Sequence, residues 1–195
     1  MSTSETSDRI TGIDPMELRR TCAAFGTGVT VITVRHADAD HGMTANAFMS
    51  VSLAPPLIVV SVNRRARILP RIEAAGRYGV SVLSQEMEAI AMHFAGKPRE
   101  DLTNVFEEFD GLPVIEGAVA HFAARLQQAV GAGDHMLLIG AVEKIARRQG
   151  RPLIFHDGSF RALTDLAATS AVVHSWAVGT PGEPAGYFDE TPEFW

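Results

Sequence analysis

Cysteine is all but missing from this chain: Cys22 is the only one in 195 residues. A single thiol excludes an internal disulfide and any zinc or iron–sulfur centre built on several cysteines, and it suits a reducing compartment, so a cytoplasmic location is expected. Long apolar runs are lacking too. None approaches the roughly 18 to 20 residues that cross a bilayer, and the polar opening MSTSETSDRITG holds no apolar segment of the kind a secretion signal carries. No membrane role is expected. Positive charge is in deficit, with 17 Lys and Arg against 23 Asp and Glu and a net charge of -6. A nucleic-acid binder normally shows a basic surplus, so nucleic acid is not an expected partner.

The common catalytic signatures are equally absent. Gly26-Thr27-Gly28 precedes a strand instead of following one, and Val31 stands where a dinucleotide fingerprint needs its third glycine. Gly131 and Gly133 also lack a third partner. There is no P-loop, no HExxH and no GxSxG, and no nucleophile–base pair can be named. A hydrolase therefore has no residues to stand on. His36 and His41 bracket Asp38 and Asp40, but this spacing is not helical and no further ligand is evident, so the segment reads as a polar hairpin loop and no metal is expected.

What is present is ordinary for one soluble core: 46% hydrophobic and 21% charged residues. Residues 1–13, rich in Ser, Thr and charge, read as a flexible tail. Residues 14–164 read as the folded domain. Residues 165–195 change composition, ending in the aromatic, acidic GYFDETPEFW, and read as an extension that packs on the barrel or on a partner subunit.

Within the domain, Asp14-Pro15-Met16-Glu17 predicts a capped helix start, and Cys22 is expected in the core on that helix's apolar stripe. Val29 to Val34 reads as a strand from its β-branched content. Gly42 to Val62 reads as two strands joined at Pro55-Pro56. In the first, Met43, Ala45, Ala47, Met49, Val51 and Leu53 form one face, while Thr44, Asn46, Phe48, Ser50 and Ser52 form the other. The polar face suits a flat, partly polar ligand; a half-exposed strand with one solvated face fits the alternation equally well. Leu57 to Val62 is nearly all apolar, as in a strand buried on both faces. A helix is expected over about Arg67 to Ala75, and the arginines before it read either as a solvated helix start or as a phosphate grip. Tyr78 to Leu83 is a strand. Ser84 is expected to cap a helix whose Met87, Ile90, Ala91 and Phe94 keep helical spacing, and Ala95-Gly96-Lys97-Pro98 ends it. Residues 97–117 read as charged loop with a turn at Asp110 to Pro113. Two long strands follow, joined through Val130 to His135, and a short hairpin at residues 152–161 closes the domain. Strands outnumber helices without βαβα alternation, so an antiparallel barrel with peripheral helices is expected.

With no protein acid–base pair in view, the remaining chemistry is of the kind a bound cofactor supplies. GMTANAFMSVSLAPPLIVVSVN, YGVSVLSQEMEAIAMHFAG and AGDHMLLIGAVEKI, in that order, resemble the short-chain flavin reductase family, the reductase components of two-component flavin-dependent monooxygenases. The resemblance covers about Met16 to Leu163. It implies a mostly β, antiparallel split barrel that binds FMN (or FAD), forms a homodimer, and uses NADH or NADPH to make reduced flavin for a separate monooxygenase. It further implies that Thr44, Ala45, Asn46 and Ala47 cradle the isoalloxazine, and that Ser50, Val51 and Ser52 contact the ribityl chain and phosphate. Ser61 and Asn63 would line the same pocket, and Phe94, Ala95 and Gly96 would close over the flavin. His135, in Gly133-Asp134-His135, would stand where the nicotinamide arrives. The chain departs from the family at Arg64-Arg65-Ala66-Arg67, where small hydroxyl residues are usual, and Arg67 is the expected substitute at the phosphate. A flavin-binding barrel without general reductase activity and a dimeric interaction module are the alternatives.

Overall fold

A computed structural model describes residues 12–164, and the elements below lie in the compact unit Met1–Leu163. The expectations for residues 1–11 and for the extension over 165–195 fall outside the described residues. Asp14 opens helix α1 (Pro15–Ala23): its carboxylate accepts the N–H of Met16 at 2.9 Å, and Pro15 takes a position whose N–H would be unpaired anyway. No residue of α1 is buried, which corrects the expected core position of Cys22. The thiol is exposed, and so are Met16, Leu18 and the nearby Phe25.

After α1 come β1 (Thr27–Gly28), β2 (Thr30–His36), β3 (Ala39–Ala45), β4 (Phe48–Leu53), β5 (Pro56–Asn63), α2 (Leu69–Ala75), β6 (Arg77–Val82) and α3 (Glu88–Phe94). The chain continues through β7 (Phe106–Phe109), β8 (Leu112–Ile115), β9 (Ala120–Ala132), β10 (His135–Arg147), β11 (Ile154–His156) and β12 (Ser159–Arg161). Seven strands form one antiparallel sheet in the order β3-β2-β6-β9-β10-β5-β4. Its two outermost strands, β3 and β4, are consecutive in the chain, with only Asn46 and Ala47 between them. Laid flat, the edges of seven strands would lie roughly 29 Å apart. Two linking residues reach about 10 Å. The sheet must therefore curl until its edges meet at this link, where the N–H of Ser61 on β5 donates to the Ala47 carbonyl at 3.0 Å. The result is an incompletely closed barrel, as the expected architecture requires.

The link also corrects the reading of residues 43–53 as one alternating strand. Met43 and Ala45 pack on the main core, and so does Phe48, three residues on, whose ring lies 5.4 Å from that of Phe122. The break reverses the parity, so Met49 points outward and is 61% exposed; Val51 and Leu53, at and beyond an irregularity in the pairing of β4 with β5, are 46% and 74% exposed. Nor is β5 buried on both faces: Ile58, Val60 and Val62 are buried, while the residues between them are half-buried.

The barrel core holds Ile32, Val34, Val60, Tyr78, Val80 and Leu138, and α2 closes one end of it with Leu69 and Ile72. Helix α2 starts two residues later than expected, with Pro70 in its first turn, and Gly76 ends it at φ 68°. A second cluster, containing Val31, Leu83, Ala91, Ile115 and Leu153, lies under α3. Ser84 does not cap α3 but bridges to Pro152, and the helix begins only at Glu88. The charged segment 97–117 carries an unforeseen hairpin, β7–β8, around the expected Asp110-Gly111 turn, where both residues have positive φ.

That hairpin is tied to the barrel through buried polar groups. Ser81 Oγ accepts the Ile115 N–H at 2.9 Å and lies 3.3 Å from His121 Nδ1. His121 Nε2 sits 3.2 Å from a Glu107 carboxylate oxygen, close enough for charge attraction but not aligned as a hydrogen bond. Arg148 grips the same carboxylate at 2.9 and 3.1 Å. Burial pushes the His121 imidazole below its ordinary range, and the attraction of Glu107 only partly opposes this. A depressed folded-state value means that the contribution to stability is complete above pH about 6.5 and is lost as pH falls below it. The melting temperature is expected to fall more steeply from pH 8 to pH 5 in the protein than in His121→Gln. Parallel curves would contradict the role given to the imidazole.

Candidate functional site

The link between β3 and β4 is both the seam of the barrel and the floor of a cleft. Thr30, buried on β2, donates its hydroxyl to the Ala45 carbonyl at 2.7 Å, and Ser61 holds the Ala47 carbonyl from the other side. The exposed Asn46 therefore sits on a backbone clamped at both flanks. Beside it opens a hollow of about 520 Å³, lined by Thr44, Ala45 and Asn46, by Glu88 and Met92 of α3 with Ala95 at its end, and by the hairpin β11–β12. Phe155 and Phe160 of that hairpin meet edge to face at 5.6 Å. The walls are mainly apolar with a few polar groups, the usual make-up of a site for a flat organic ring.

Helix α3 is seated on β3 by two contacts. Thr44 donates its hydroxyl to the Ala91 carbonyl at 2.6 Å. The Phe94 ring lies so close over Gly42 that a Cβ there would come within 2.7 Å of it. Phe94 also meets the Phe106 ring at 5.6 Å. Phe94 thus seats the helix, while Ala95 is the residue of the Phe94-Ala95-Gly96 segment that lines the hollow; Gly96, at φ 94°, turns the chain away.

A second group of expected residues meets on β5 and β10. His135 pairs in register with Asn63, and Leu137 with Ser61. His135 is 42% exposed at its side chain, and its Nδ1 lies 2.8 Å from Asp134 Oδ1. The hydrogen bond to His135, with its charge, holds the Asp134 carboxyl below the usual carboxylate range. Arg64 braces this turn: its Nε donates to the Gly133 carbonyl at 2.8 Å and its N–H to the Asp134 carbonyl at 3.0 Å. The arginine that departs from the family pattern therefore has a structural task. Asn63 Oδ1 accepts the N–H of Arg65 at 2.9 Å and shapes the following turn.

The two groups adjoin through the bond between Ala47 and Ser61. Ser50, Val51 and Ser52 lie farther along edge strand β4, and a register shift there places Ser50 opposite Ile58 but Ser52 opposite Leu57. Directly paired residues share a face, so the bulge at Val51 puts the two serines on opposite faces of the sheet edge. This corrects their placement on one polar face. Arg67 is not with either group: it lines a separate hollow with His36, Pro70 and Arg71. Sequence reasoning missed Glu88, Met92, Phe155, Ser159 and Phe160. The two phenylalanines flanking the Asp157-Gly158 turn were the available signal.

Comparison with known proteins decides the family. The profile described as "Flavin reductase like domain" matches residues 22–164. This chain belongs to the flavin reductase-like family. It is 42% identical over 154 residues to the NADH-dependent flavin reductase of a Rhodococcus species, covering 77% of this chain and 88% of that protein. It is 40% identical over 142 residues to the reductase component of 4-hydroxyphenylacetate 3-monooxygenase from Thermus thermophilus, covering 72% and 91%. Among solved structures it is similar to the Streptomyces globisporus C-1027 NADH:FAD oxidoreductase SgcE6 in complex with NAD and FAD fragments, with a TM-score of 0.74, 36% identity, and coverage of 80% of this chain and 99% of that one. The matched residues span the barrel, the clamped link and the Gly133-Asp134-His135 turn.

Proposed function

We propose that this flavin reductase-like protein is an NAD(P)H:flavin oxidoreductase that supplies reduced flavin to a partner monooxygenase. The observation that carries the reading is the clamped, exposed link at Asn46-Ala47, opening on an apolar hollow wide enough for a tricyclic ring. FMN or FAD would accept a hydride from NADH or NADPH and leave in reduced form. The protein's part is to bind and orient. Thr44 to Ala47 hold the ring against fixed backbone, Ser61 and Asn63 line its border, and Ala95 bounds it from the helix end. Ser50, Val51 and Ser52 form a sheet edge over which the ribityl chain and phosphate pass, touching both faces. His135, steadied by Asp134, stands on the coenzyme side.

A homodimer fits the same geometry. Met49, Val51 and Leu53 leave edge strand β4 with exposed apolar side chains, which a second copy would cover. No helix among the described residues is long and apolar enough to cross a membrane.

Steady NADH or NADPH consumption on adding free FMN or FAD tests the proposal. Tight flavin binding without turnover would favour a flavin-binding barrel of another use, and indifference to flavin would favour an interaction module. At the sheet edge, the Ser50→Ala, Ser52→Ala double variant is expected to weaken flavin affinity by about 1 kcal/mol for each hydroxyl in contact. Fluorescence titration reads this, and an unchanged dissociation constant would remove both side chains from the site.

A further inference from the structure

Among the described residues that line the cleft, Glu88 carries the only charged side chain. It opens α3, and Met92 and Ala95 follow it at four and seven residues, the spacing that puts three side chains on one face of a helix. All three line the hollow, whereas Ile90, Ala91 and Phe94, on the neighbouring face, pack in the cluster beneath α3. The helix cannot roll, because Thr44 holds the Ala91 carbonyl and the Phe94 ring presses on Gly42. Glu107, Glu108 and Glu143 are each paired with an arginine. Glu88 has no such partner among the described residues, and no Lys, Arg or His lines the hollow beside it.

A lone carboxylate of this kind is adverse to an anionic ring and indifferent to a neutral one. Hydride uptake is the step that changes the charge of the ring. Two electrons and one proton pass from NADH or NADPH, which leaves oxidised, and a neutral isoalloxazine gains one negative charge until a second proton follows. A hollow of about 520 Å³ is roughly 8 Å across, one Debye length at physiological ionic strength, so a charge on its wall still acts on a ring held against the link. The partial positive charge at the start of a helix is at most about half a unit, so this wall stays net negative. We propose that Glu88 makes the cleft selective for the oxidation state of its flavin: its charge weakens binding of the reduced, anionic ring and speeds its release, and leaves the oxidised ring alone. This rests on the reductase reading and on a ring placed at Thr44 to Ala47. It gives a protein that hands on its reduced product a physical means of letting that product go.

Anaerobic titration of the protein and of Glu88→Gln with oxidised and with dithionite-reduced FMN, repeated with FAD, is the test. Gln keeps the shape of the side chain and removes its charge. The dissociation constant for the reduced flavin is expected to fall about fivefold in the variant, while that for the oxidised flavin stays within twofold. Glu88→Lys, which reverses the charge, is expected to extend the fall. The same ratio must appear as a rise of about 20 mV in the midpoint potential of the bound flavin, by the two-electron conversion. Raising the salt from 50 to 500 mM is expected to shrink the gap between the protein and its variant. Equal shifts for both oxidation states would overturn the inference, since they would make Glu88 a hydrogen-bonding or shaping residue of the wall. An unmoved ratio and potential would overturn it too, and with NADH-driven flavin reduction intact the reductase reading would stand. A protein that binds flavin in neither state would bring down that reading and this inference together.

Discussion

His135→Ala is expected to lower kcat/KM for NADH at least tenfold while the dissociation constant for flavin stays within about twofold, a split equivalent to roughly 1.4 kcal/mol of lost transition-state stabilisation. The imidazole is reachable, being 42% exposed at its side chain, yet not free to wander, because Nδ1 is held 2.8 Å from Asp134. Its backbone is in register with Asn63, on the strand whose Ser61 clamps the cleft floor, so it stands next to the proposed ring site without belonging to its floor. Asp134→Asn, which keeps a hydrogen-bonding group but removes the charge, is expected to give a smaller loss of the same kind. Stopped-flow reduction of enzyme-bound flavin by NADH separates the two steps. Equal losses in flavin binding and reduction would show that His135 holds the flavin or the turn, and no loss would remove it from the reaction.

Gly42→Ala is expected to cost about 1–3 kcal/mol of stability and to weaken flavin binding about tenfold. The added Cβ would stand 2.7 Å from two atoms of the Phe94 ring. That ring cannot slide away alone, because Phe106 and His93 flank it at 5.6 and 4.8 Å. The helix must then lift, straining the bond from Thr44 to the Ala91 carbonyl and displacing Glu88, Met92 and Ala95 from the cleft wall. For a domain of this size, the stability loss corresponds to a melting-temperature drop of roughly 2–4 °C per kcal/mol. Phe94→Leu in the Gly42→Ala background should restore part of it. A Gly42→Ala protein with unchanged melting and flavin affinity would mean that α3 shifts freely and takes no part in shaping the cleft.

Much of this fold was legible in the chain. Asp14-Pro15 announced α1 and the β-branched run announced β2, because each signal is local. What failed depended on distant partners. Alternation runs unbroken through Asn46 and Ala47, so nothing in the spacing says that the chain there passes from one sheet edge to the other. The bulge at Val51, which separates Ser50 from Ser52, is a register event between two strands and leaves no mark on one. Cys22 has the neighbours of a core residue, but α1 stands clear of the barrel. The third wall of the cleft comes from β11–β12, more than a hundred residues after Asn46, and no local pattern joins the two.

The central claim is that a flavin ring rests on the fixed backbone around Asn46-Ala47. A crystal of the protein soaked in flavin tests it most directly. The account predicts the isoalloxazine within contact distance of Thr44 to Ala47, with its tail leading over Ser50 to Ser52. A ring bound elsewhere, with that backbone covered by the protein's own side chains, would contradict it.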